Sequence, residues 1–280
     1  MSTVVPRLVV TDLDGTFLSP DGTVSEANAR AVRDWCASGR EFLIATGRPV
    51  RWLEPVQDVA GIRPRVIASN GAVVHDVATG ESTVHHPIDV TVAEAVIADL
   101  RAELPDTWFG IEFGHRFGHE PGYRLGGPVE PHLPSISTGE IDALLDQGPF
   151  VKLLVQNLAL AADELVRRAE PVVGGRLTIT HSSSGRGLLE VSAAGVSKAT
   201  TLARTCELLG VSAHEVAAFG DMPNDREMLA WAGLPHVMAN SHPEVLGLGR
   251  VIGSNSESAV GAVLDQWLAD RVADVAVHPQ

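Results

Sequence analysis

Cysteine is nearly absent from this chain: in 280 residues it occurs only at Cys36 and Cys206. Two thiols so far apart make no disulfide framework, and the pattern suits a reducing compartment. Long uncharged apolar runs are missing as well. Arg7 is followed by only three apolar residues, too short for a signal-peptide core, and no later stretch is long enough to cross a bilayer. A soluble, cytoplasmic protein is expected. Positive charge is also short, with 21 Lys and Arg against 35 Asp and Glu and a formal charge of −14. A molecule of that sign repels nucleic acid and anionic membranes, so neither is expected as a partner. An anionic small substrate would need local help. No internal repeat or low-complexity run appears, and nothing calls for an obligate protein partner. At this length, two domains are the expectation.

What is present begins with "VVTDLDGTFL", residues 9 to 18, where an apolar run ends in two carboxylates and a glycine. Side chains two apart on an extended chain point the same way, so Asp12 and Asp14 can face one point beyond a strand ending at Thr11. Two converging negative charges call for a cation. A calcium loop is excluded, because its sixth position would be Phe17 instead of glycine and its twelfth Thr23 instead of glutamate.

Along the chain, Ser25 reads as the N-cap of a helix ending at Gly39, "EFLIAT" and "RVIAS" as strands, and Pro49 as the start of a helix to about Val59. A hairpin is expected to turn near Ala78 to Gly80. After it the character changes: a helix over 92 to 104, the strand "TWFGIEF", a Gly/His/Pro-rich stretch from 114 to 134, a helix near 139 to 146, the strand "FVKLLVQ", a helix over 161 to 170 and the strands "RLTITH" and "GLLEVS". From Lys198 regular alternation returns with a helix to 209, "VAAFG", a helix over 224 to 232, "HVMA" and a last helix over 258 to 269, with "VADVAVHPQ" as a fraying tail. Alternating strands and helices imply a parallel sheet. The whole reads as an α/β domain split by an insertion, with joints near 85 and 190.

Four segments carry the chemistry: "DLDGT" (12 to 16), "ATGRP" (45 to 49), "GVSKA" (195 to 199) and "GDMPNDREML" (220 to 229). Together, in this order, they resemble the four motifs of the haloacid dehalogenase superfamily of phosphatases, and their spacing is similar to the Cof-type sugar-phosphatase branch. The resemblance implies a Rossmann-like α/β core with a parallel sheet, at 1–84 and 190–280, and an inserted α/β cap of the C2 (IIB-like) class at 85–189. The stretch from Asp14 to Ser25 holds no domain, whereas that from Arg48 to Lys198 does, which places the cap there.

The resemblance also implies roles. Asp12 is the nucleophile that forms an aspartyl phosphate, and Asp14 protonates the leaving oxygen and then takes a proton from water. Ion-pumping relatives carry lysine in place of Asp14, so this chain looks built to hydrolyse its phosphoenzyme. Asp12, Asp221 and the backbone carbonyl of Asp14 form the oxygen set expected to hold Mg²⁺. That cation and Lys198 would offset the repulsion between carboxylate and phosphate, about 4 kcal/mol at about 4 Å and an effective dielectric of 20. Thr46 and the amide of Gly47 are expected to bind phosphate oxygens, with Asn224 and Asp225 orienting the metal waters and the lysine.

The substrate expected is a small, sugar-like phosphate ester. Arg48 and Asn70 are candidates to contact it or to fix their loops. Within the insertion, "EFGHRFGHEPGYR" offers His115, Arg116, His119 and Arg124, with His181 and Arg186 further on. His115 and His119 have a spacing used by zinc ligands, but their Gly-rich context gives no helix and supplies no third ligand. His85 and His86 read as hinge residues. The alternatives are a sugar phosphomutase of the same superfamily and a phosphate-ligand sensor without turnover.

Overall fold

The structure, a computed structural model, describes residues 5–84, 86–125, 136–183, 185 and 187–277. Two sheets organise the described chain. The first has eight strands in the order β14-β13-β12-β1-β2-β3-β4-β5. At its centre β1 (Leu8–Thr11) lies parallel to both β12 (Val216–Gly220) and β2 (Glu41–Ala45), with Thr11 level with Phe219 and Ile44. The parallel run continues through β3 (Arg65–Ala68) on one side and through β13 (Leu234–Val237) and β14 (Arg250–Val251) on the other. At the β3 side the antiparallel hairpin of β4 (Val73–Asp76) and β5 (Glu81–Val84) closes the edge, turning where the sequence placed it.

Both faces of the central strands β12, β1, β2 and β3 are covered, which is why these strands are apolar almost throughout. Alternation sends Val9 and Phe219 to the side of α1 (Glu26–Ala37) and α7 (Ala259–Val277), where they join Trp35, Leu264 and Trp267. Leu8, Val10 and Ala218 go to the side of α5 (Lys198–Leu209) and α6 (Arg226–Trp231), with Leu202 and Met228. Ser25 caps α1 by accepting from the Asn28 amide.

The second sheet has six strands in the order β10-β11-β9-β6-β7-β8 and its own core. It comprises β6 (Trp108–Glu112), β7 (Phe117–His119), β8 (Ile136–Thr138), β9 (Lys152–Gln156), β10 (Leu177–Thr180) and β11 (Leu188–Ala193). Helices α2 (Val90–Glu103) and α4 (Ala162–Val173) cover one face, burying Phe109, Ile111, Leu153, Val155, Leu189 and Val191; the short α3 (Ile141–Leu145) packs beside β6 and β7. Alternation turns Glu112, Lys152, Glu190 and Ser192 to the opposite face, where they are nevertheless buried. That polar face is pressed against the first sheet's loops: Arg51 pairs with Glu112, and Lys152 donates to the Gly47 carbonyl.

Several expected boundaries move. β11 belongs wholly to the second sheet, so a joint at 190 would cut a strand, and the inserted sheet runs on to Ala193. The helix expected from Pro49 to Val59 is two 3₁₀ turns, Val50–Trp52 and Glu54–Val56, because Pro55 lacks the amide an α-helix needs there. The backbone of α7 stays helical to Val277, through most of the stretch expected to fray. No helix among the described residues is long and apolar enough to cross a membrane.

Candidate active site

The carboxyl ends of β1, β2 and β12 meet at one point, as open parallel sheets require of a ligand site. Asp12 follows β1 and is tied to β12 by its amide, which donates to the Phe219 carbonyl at 2.9 Å. After it the chain makes a single wide turn, Leu13–Phe17, in which Gly15 has φ +79°. A Cβ on Gly15 would run into the Asp221 carboxylate, so glycine is required both for the backbone angle and for the approach of Asp221. Thr16 donates its hydroxyl to Asp221 Oδ1 at 2.6 Å, fixing that carboxylate beneath the turn.

Lys198 opens α5, whose first turn is closed by Ser197 and Thr200 capping each other. Its ammonium is buried and bridges Asp12 Oδ1 at 2.6 Å and Asp225 Oδ1 at 2.7 Å. Asp225 Oδ2 accepts from the amides of Asp221 and Met222 at 3.0 and 3.1 Å. Both Asp225 oxygens are thus engaged, one by Lys198 and the other by its own loop.

Three buried carboxylates, Asp12, Asp221 and Asp225, thus share one buried cation, Lys198. Burial pushes the Asp12 carboxyl well above its usual range, with Lys198 opposing and the other aspartates adding to the rise. Burial and Asp225 likewise push Asp221 up to about 7. Burial works against the charge of Lys198, but Asp12 and Asp225 outweigh it and raise its pKa. The imbalance is what a divalent cation would correct, and the available hard oxygens suit Mg²⁺. Asn224 Oδ1, on the same loop, is a buried acceptor with no protein partner, in keeping with a place for a metal-bound water.

The other expected residues divide. Thr46 is buried, and its Oγ1 accepts from the Arg48 amide at 3.0 Å, which leaves its own proton free to be donated. Arg48 forks the Asp14 carboxylate through Nε at 2.7 Å and Nη2 at 2.6 Å, so it holds Asp14 instead of lying free for substrate. Asn70, at φ +56°, gives its amide to Glu190 and accepts from Asn224 at 3.1 Å; it fixes its loop. His119 is a packing residue, bonded to the Glu120 carbonyl and Thr138 and stacked on Phe117. Arg116 turns away over Phe113 towards Gln147, His115 is exposed, and Arg124 pairs with Gln156 through its backbone. His86 reaches Arg204, while Arg186 and His85 lie outside the described residues.

His181 does reach the boundary between the two sheets. Its Nε2 is 3.0 Å from Asp163 Oδ1, and the other carboxylate oxygen lies 3.3 Å from His242 Nε2. This trio is grouped like metal ligands but lacks their outer support. His181 Nδ1 has no partner, and His242 Nδ1 accepts from the Glu244 amide, which puts its proton on the nitrogen facing Asp163. It is a polar clasp between α4, the end of β10 and the loop after β13, hydrogen-bonded on the His242 side and a close N···O contact on the His181 side. Beside it a cavity of about 540 Å³ runs in to Lys198 and Asn224, lined by Thr178, His181 and Ser192 from the insertion.

Residues that the sequence reading passed over also converge here. Thr16 secures Asp221, Asn240 donates to the Gly15 carbonyl at 2.8 Å, and Lys152 with Glu190 sits over Gly47. For Lys152 a signal existed: it and Lys198 are the only lysines in the chain.

Comparison with known proteins agrees with this architecture. The chain is 28% identical over 271 residues to an HMP-PP phosphatase of an Enterobacter species, covering 94% of this chain and 96% of that one. It is 25% identical over 283 residues to a 5-amino-6-(5-phospho-D-ribitylamino)uracil phosphatase of Bacillus subtilis, covering 94% and 98%. The subclass IIB sugar phosphatase BT4131 superposes with a TM-score of 0.77 over 93% of this chain and 98% of that one, at 19% identity, a likeness of fold. Residues 9–264, which include all four motifs and the insertion between them, match the haloacid dehalogenase-like hydrolases, and the chain belongs to that family.

Proposed function

We propose that the chain is a Mg²⁺-dependent phosphomonoesterase acting on a small phosphorylated metabolite through an aspartyl phosphate on Asp12. The observation that carries this reading is the charge imbalance: Asp12, Asp221 and Asp225 are buried around the single ammonium of Lys198. Asp12 and Asp221, with the Asp14 carbonyl, would hold the metal, which when bound neutralises charge and steadies a phosphate oxygen. Lys198 holds the Asp12 carboxylate in one orientation and carries positive charge to the phosphate. The Thr46 hydroxyl, which accepts from the Arg48 amide, donates its proton to another phosphate oxygen. Asp12 attacks phosphorus, Asp14 protonates the departing oxygen, and Asp14 then deprotonates the water that cleaves the acyl phosphate.

The inserted sheet excludes water and reads the leaving group. The cavity beside Lys198 has the size for a compact metabolite and is lined by Thr178, Ser192 and His181, which suits a polar, hydroxyl-bearing group. The two named relatives are by name phosphatases of HMP-PP and of 5-amino-6-(5-phospho-D-ribitylamino)uracil, in keeping with a small phosphorylated metabolite. A panel of phosphate esters assayed with Mg²⁺ and with chelator tests the reading. Metal-dependent release of phosphate from sugar-type esters is expected; full activity in chelator would remove the metal from the scheme, and no release from any ester would remove catalysis.

A further inference from the structure

Apart from Lys152 and Lys198, every basic side chain of the chain that is charged at all pH values near neutrality is an arginine. Both lysines are withdrawn from solvent, at 3% and 1% exposure. Lys198 serves Asp12 from the core, whereas Lys152 comes from β9 of the inserted sheet and crosses to the first sheet's loops. Its ammonium donates to the Gly47 carbonyl at 2.7 Å and pairs with Glu190 of β11. Glu190 in turn accepts from Asn70 at 3.0 Å and from the Ser182 hydroxyl, and Asn70 accepts from Asn224 at 3.1 Å. One chain of hydrogen bonds therefore runs from the loop that carries Asp225 through the insertion to the loop that carries Thr46.

The Gly47 carbonyl and the Arg48 amide belong to one peptide plane. The amide end is held by Thr46 Oγ1 and the carbonyl end by Lys152. If the carbonyl is released, the plane can rotate, the Arg48 amide leaves Thr46, and the hydroxyl proton is no longer directed. An ordinary ion pair between the two sheets would have no such lever: Arg51 with Glu112 is one, and neither is bonded to Gly47 or Thr46.

We propose that Lys152 is a positioning residue for the phosphate itself: with the insertion shut, it fixes the Gly47–Arg48 peptide and through it the Thr46 hydroxyl. The inserted sheet then completes the phosphate site for every ester, beyond reading leaving groups. This inference rests on the phosphomonoesterase reading.

Two experiments test it with inorganic phosphate and Mg²⁺ as the probe. In calorimetric titration, Lys152→Met should bind phosphate about 10- to 100-fold more weakly than wild type, the loss of one charge-assisted hydrogen bond. Its kcat/KM should fall by a similar factor on p-nitrophenyl phosphate and on sugar phosphates, leaving their ranking intact. Glu112→Gln, which loosens the Arg51–Glu112 pair between the sheets without touching Gly47 or Thr46, should hold phosphate within about twofold of wild type. Acetylation of wild-type lysines, read by mass spectrometry, needs no variant. Phosphate should slow labelling of Lys152 with the same half-saturation as its binding. A Lys152→Met protein that binds phosphate normally, a changed ester ranking, or Lys152 labelling indifferent to phosphate would each overturn the inference. Those outcomes alongside normal phosphate binding by wild type leave the phosphatase reading standing, whereas wild type that neither binds phosphate nor hydrolyses any ester overturns both.

Discussion

Arg48 grips the Asp14 carboxylate with two parallel hydrogen bonds, at 2.6 and 2.7 Å, while Asp12, two residues away, belongs to Lys198. The two carboxylates that a strand end would aim at one point are thus given different partners. Asp12 is buried, whereas the Asp14 side chain is 54% exposed. The split suits a nucleophile held still and a proton carrier that must exchange with water.

Replacing Asp14 by Asn should therefore separate the two half-reactions. Each proton transfer it loses corresponds to about 10²- to 10⁴-fold in rate. With a sugar phosphate both steps slow, and turnover should collapse without a burst. With p-nitrophenyl phosphate, whose leaving group needs little protonation, rapid quench should show a burst approaching one nitrophenolate per site, followed by slow turnover. Equal slowing of both steps with no burst would assign water activation to another residue.

The four motifs were legible because each is a short contiguous segment whose position at a strand end follows from local pattern. The same holds for α1, α5 and the β4–β5 hairpin, where caps and turn residues sit next to the elements they end. What the sequence hid depends on distant partners. Lys152 meets Gly47 across 105 positions, and nothing near either residue announces the meeting. His119 looked free in its glycine-rich run, yet Phe117 and Tyr123 enclose it once β7 pairs with β6. The joint at 190 was misplaced because "GLLEVS" reads as a strand without saying which sheet it joins.

Gly15→Ala should damage the metal site without replacing a proposed ligand. The new Cβ would meet the Asp221 carboxylate, and the residue would have to keep φ near +79°. The Mg²⁺ concentration for half-maximal activity should rise about tenfold or more, with thermal stability lowered in both Mg²⁺ and chelator. An unchanged Mg²⁺ requirement would mean that the turn and Asp221 are not coupled.

Stability in chelator should depend on pH through Asp221. Its folded pKa, pushed up to about 7 by burial and by Asp225, lies above its ordinary 3.8. The folded protein then binds the extra proton between those values, so this contribution is complete below about pH 4 and is lost as pH rises through about 7. A bound cation removes the penalty. The melting-temperature gain given by Mg²⁺ should accordingly widen from pH 5 to about 8, and Asp221→Asn should abolish the widening. A gain independent of pH in wild type would contradict the assignment.

The most direct test of the account is to find the phosphoryl group on Asp12. The Asp14→Asn protein, mixed with p-nitrophenyl phosphate and Mg²⁺ and quenched in acid, can be treated with borohydride, which reduces an acyl phosphate to an alcohol. Peptide mass spectrometry should then show reduction at Asp12 in an amount matching the nitrophenolate burst, and none when Mg²⁺ is omitted. A full burst with Asp12 unreduced, or with the reduction at another carboxylate, would contradict the account.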